Sequence, residues 1–160
     1  MQDSGIASIT TYAADLEVLS GFVIRYKWRP IYAADDREHA EVFYSKSMTP
    51  EEARLVRCKE VLHLLDGHEH TSRTLELVGK LISEICLPFS MPVSKISQHD
   101  RMGILPALCI LLPRDALDIL RPLKLAPEAV AKLAGIPEEW AGICLSEGWK
   151  HVVENLDNGK

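Results

Sequence analysis

The sequence has no C-x-x-C pair, no glycine-rich phosphate loop and no G-x-S-x-G turn, and only 6% of its 160 residues are aromatic. Each absence removes a class of chemistry. Without the phosphate loop or the nucleophile elbow, neither nucleotide hydrolysis nor serine hydrolysis has its usual scaffold. The four cysteines, Cys58, Cys86, Cys109 and Cys144, stand far apart in apolar stretches. That pattern predicts buried free thiols in a reducing compartment rather than a disulfide frame or a thiolate metal site. Trp28, Trp140 and Trp149 are too scattered for a sugar or cofactor platform and read as core or interface anchors.

Basic excess is missing as well. The net charge of -5 argues against broad nucleic-acid binding. The start, Met1-Gln2-Asp3-Ser4, lacks the basic region of a signal peptide. The longest apolar run, Met102 to Pro113, falls short of the roughly 20 residues a bilayer demands. These features predict a cytoplasmic protein with no membrane partner. Repeats and low-complexity tracts are absent too, so 160 residues with 47% apolar content predict one domain, 1–160.

What is present centres on Thr49 to Gly67. Thr49 can cap a helix, Pro50 suits its first position, Glu51 and Glu52 complement the dipole, and Glu52 completes a capping box. Gly67 after Asp66 reads as a stop, giving a helix over about 50–66. At 3.6 residues per turn, Leu55, Cys58, Val61, Leu62 and Leu65 share a face expected to pack on a core. Glu52, Lys59, His63 and Asp66 share the other, with Val56 and Glu60 at its edge.

Within that helix, Lys59-Glu60-Val61-Leu62-His63 is the zinc-peptidase pattern H-E-x-x-H with Lys in the first ligand position. In the intact motif two imidazoles at i and i+4 bind zinc and the Glu is general base toward the metal-bound water. The longer run E-x-x-R-[apolar]-x-x-x-[H/K]-E-x-x-H-L-L, with Arg54, Leu55, Glu60, His63, Leu64 and Leu65 in matching places, resembles the signature helix of the ImmA/IrrE zinc metallopeptidases. Asp100 to Pro113 resembles that family's second signature, E-x-x-A-x-x-F-A-x-x-L-L-x-P, through Ala107, Ile110, Leu111, Leu112 and Pro113. Gly103 replaces an alanine and Pro106 the aromatic. The resemblance implies an α+β, zincin-like domain. It makes Glu60 a vestigial general base, Lys59 the degenerate ligand position, and His63 and Asp100 the remaining metal-ligand positions. It also implies a cytoplasmic regulatory protein of prophages or mobile elements, with a protein or peptide partner, a transcriptional regulator among the candidates.

An ammonium has three donors and no lone pair, so Lys59 cannot ligate zinc. The leading expectation is therefore a non-catalytic relative with no cofactor. A second reading keeps an active zinc enzyme by using His63 with His68, His70 or Asp100, three ligands and a water being the required number. A third makes the chain an unrelated helical protein-interaction domain, in which Glu60 and His63 are surface residues beside Lys59. That third reading gains if residues 22–44 are helical.

Elsewhere, apolar spacing predicts a first helix over Ile6–Leu19 and an amphipathic one over Thr71–Ile85, capped by Thr71 or Ser72. Strands are predicted within 22–44: Phe22–Trp28, Pro30–Ala34 and Ala40–Tyr44, with a turn at Asp35-Asp36. Pro88 and Pro92 bracket a loop over Leu87–Gln98. Pro106 is incompatible with an unbroken helix from Asp100. A short helix is expected over Arg114–Leu120, a helical hairpin over about 127–147, and a frayed tail from Asn155. The hairpin's second helix carries Glu138 and Glu139, with Glu147 just beyond, and no Arg, Lys, Asn or Gln for a groove, so direct nucleic-acid binding is disfavoured.

Overall fold

The computed structural model describes residues 6–17, 19–27, 38–65, 75–85 and 91–157. Among the described residues a three-stranded sheet, β1 (Ile6–Ala14), β2 (Gly21–Lys27) and β3 (Glu38–Ser45), comes first, and eight α-helices follow. These are α1 (Pro50–Leu62), α2 (Leu75–Ile85), α3 (Lys95–Met102), α4 (Ile104–Leu111), α5 (Arg114–Leu120), α6 (Pro127–Ala134), α7 (Glu138–Leu145) and α8 (Glu147–Asp157). The α+β order is as expected, and the described part of residues 22–44 is strand, so the unrelated helical domain does not gain from this region. Predicted strand Pro30–Ala34, the Asp35-Asp36 turn and the Thr71 or Ser72 cap lie outside the described residues.

The first element is a correction. Ile6–Ala14 is a strand, not a helix. Its run Ile9-Thr10-Thr11-Tyr12 is β-branched and aromatic, and β3 offers it a parallel partner from Ser8↔His39 to Ala14↔Ser45. With β2 antiparallel on the other side, the strand order is β1-β3-β2. Alternation on β3 sorts the faces. Ala40 and Val42 are buried toward α1, and Arg57 of α1 lies over the Tyr44 ring on that side. Phe43 points the other way and stacks with Tyr12 and Phe22.

Helix α1 lies between the sheet and the helical layer. Its start is as read: Thr49 Oγ1 accepts from the Glu52 N–H, and a Glu52 carboxylate oxygen accepts from the Thr49 N–H at 2.8 Å. Leu55 joins Leu108, Leu112, Leu117, Val130, Ile136, Ala141, Cys144 and Trp149 in the main core. Val56 instead faces β2, where a Cβ on Gly21 would come within 2.6 Å of its Cγ1 and 3.3 Å of Glu60 Cγ. The helix ends earlier than expected, tightening into a 3₁₀ turn over His63–Leu65. That tightening shifts the phase of the face: Leu64 is buried and Leu65, expected inside, is 73% exposed. Arg25 on β2 fastens this turn by donating to the Leu64 carbonyl at 3.3 Å while its other nitrogens hold Glu38.

Two further boundaries differ from the sequence reading, and the break expected before Pro106 is present. The loop after Pro92 ends at Ser94, not Gln98, because the Ser94 hydroxyl accepts from the Ser97 N–H and opens α3. Asp100 therefore sits inside α3. The break demanded by Pro106 falls at Gly103, and Pro106 occupies the first turn of α4, where no N–H is needed. At the other end, α8 continues through Asp157, so Asn155 does not begin a frayed tail. The hairpin of α6 and α7 forms as expected, turned by Gly135 at φ 62°.

Candidate functional site: a lysine-centred charge cluster

Two helices build the cluster. Lys59, Glu60 and His63 come from the end of α1, and Asp100 comes from α3. The i, i+4 spacing puts Lys59 and His63 on one side, as the sequence implied. That side is not solvent-facing, however. Lys59 is 5% exposed and Glu60 3%, with β2 on one flank and α3 across the other. The Lys59 ammonium donates to Asp100 Oδ1 at 2.5 Å and pairs with Glu60 Oε1 at 3.1 Å. His63 Nε2 lies 3.7 Å from the same Asp100 oxygen, beyond hydrogen-bond length.

Electrostatics follow from burial and these neighbours. Burial works against the Lys59 ammonium, but the Glu60 and Asp100 charges outweigh it and raise its pKa above the ordinary lysine value. For Asp100, burial pushes upward, yet the neighbouring His63 imidazole and Lys59 ammonium prevail and hold the carboxyl below its usual range. Glu60 goes the other way: its burial is not fully offset by Lys59 and His63, and its pKa is raised. Lys59 is thus a fixed cation at neutral pH.

The ligand atoms of Glu60, His63 and Asp100 lie within 4.8 Å of one another, close enough for one ion. Lys59 stands against an ion at this set. Its Nζ sits on Asp100 Oδ1, and it offers no lone pair of its own. His68 and His70 lie outside the described residues.

Glycine gives the cluster its tight roof, a feature sequence reading registered only as a replaced alanine. A Cβ at Gly103 would stand 3.2 Å from His63 Cε1 and Nε2 and 3.2 Å from Lys59 Cγ. The glycine lets the α3–α4 junction rest directly on these side chains. Arg54, matched to the signature, does not join the cluster; it packs on the α6–α7 turn at Gly135.

Asp100 depends on how α3 is anchored. Glu84 of α2 accepts from the Ser94 N–H at 2.8 Å and the Ser94 hydroxyl at 2.5 Å, and Arg101 donates to the Glu84 carbonyl. Hydrogen bonds from Ser94 and Ser97 pull the Glu84 pKa down from 4.5 to about 2. A carboxyl whose folded pKa is depressed contributes stability above its unfolded value and loses it as pH falls through the folded one. Glu84→Gln is expected to lower stability at pH 7 and to flatten the loss of stability between pH 4.5 and about 2, read by urea unfolding across that range.

Comparison of the chain with protein-family models, curated proteins and solved structures found no match. The described residues include no helix long and apolar enough to cross a membrane.

Proposed function

We propose that the chain is a metallopeptidase-like protein of the ImmA/IrrE type that has exchanged its metal for a lysine. In this reading it is a cytoplasmic regulatory module that binds a protein or peptide, a transcriptional regulator in the first instance, without cleaving it. The observation that supports this is the position of Lys59 Nζ, 2.5 Å from Asp100 and 3.1 Å from Glu60. A buried pair of carboxylates needs a cation, and a lysine supplies one without Lewis acidity or a bound water. Glu60 is then left as a base with no activated water to serve.

A second reading stands on the proximity of Glu60, His63 and Asp100: an active zinc peptidase with a displaced ligand set. Metal content decides between them. Protein purified without a metal-affinity tag is expected to contain far less than one zinc per chain by elemental mass spectrometry, even after incubation with zinc. It is also expected to show no chelator-sensitive peptide cleavage. Stoichiometric zinc with such cleavage would establish the second reading instead.

A further inference from the structure

We draw no further inference here: the strongest candidate, the groove of about 330 Å³ that the first turns of α1, α6 and α7 line with Glu51, Glu52, Glu128 and Glu138, is an acidic cluster whose carboxylates already complement three helix starts, and nothing among the described residues shows what would fill it.

Discussion

The Lys59→His chain is expected to hold about one zinc ion, where the wild type is expected to take up little. The substitution puts imidazoles at 59 and 63 on one helix side and frees the Asp100 oxygen now held by Lys59 at 2.5 Å. Three ligands and a water complete a tetrahedral site, and Glu60 lies next to it. Two readouts are expected together. Elemental analysis should rise to about one zinc per chain, and zinc should raise the melting temperature of the Lys59→His protein but not of the wild type. Free zinc at 100 times its dissociation constant corresponds to about 2.7 kcal/mol of added stability, a shift that is readily measured. If the variant still takes up no zinc, the cluster is not shaped for metal and the zincin-like reading fails.

How much of this was legible before the structure depends on the range of each interaction. The start of α1 was readable because a capping box is made by residues three apart, Thr49 and Glu52. The approach of Asp100 to Lys59 was readable only through the spacing of a resembled signature, since 41 residues separate them. Ile6–Ala14 was misread because Ile6, Ile9, Tyr12 and Ala13 fit a helical period, whereas the parallel partner that holds the strand is more than 30 residues away. Leu65 was misplaced by assuming a constant 100° step past His63, where the backbone tightens. Gly103 was legible only as a replaced alanine, and no local pattern marked the close approach at Gly21 or Gly103. Their role is to let a strand and a helix junction approach α1, a property of tertiary packing. The polar face of α1 was legible as a face, but the helix pattern alone left its burial open, because burial of Lys59 and Glu60 is decided by α3 and β2.

Removing the charge rather than restoring the metal should have the largest effect on stability. Lys59→Met keeps much of the side-chain volume but leaves Glu60 and Asp100 without their cation. Breaking a buried pair in this way costs about 3–5 kcal/mol. The figure applies without a large solvent discount, since the three side chains are only 7%, 3% and 20% exposed. The pH dependence identifies the cause. In the wild type, Asp100 has a depressed pKa, so its contribution is present above its unfolded value and lost on acidification; raised Lys59 contributes until pH climbs through its folded pKa. Glu60 is already raised by burial and opposes Asp100 in the acid range. In Lys59→Met both carboxyls are expected above their unfolded values, so the deficit should shrink as pH falls and protons replace the missing cation. Adding Glu60→Gln and Asp100→Asn should recover most of the loss at pH 7, by chemical denaturation, because the buried set is then uncharged. A deficit that persists at low pH and in the triple variant would point to lost packing under Gly103, and would mean that the Lys59 charge does not hold the cluster together.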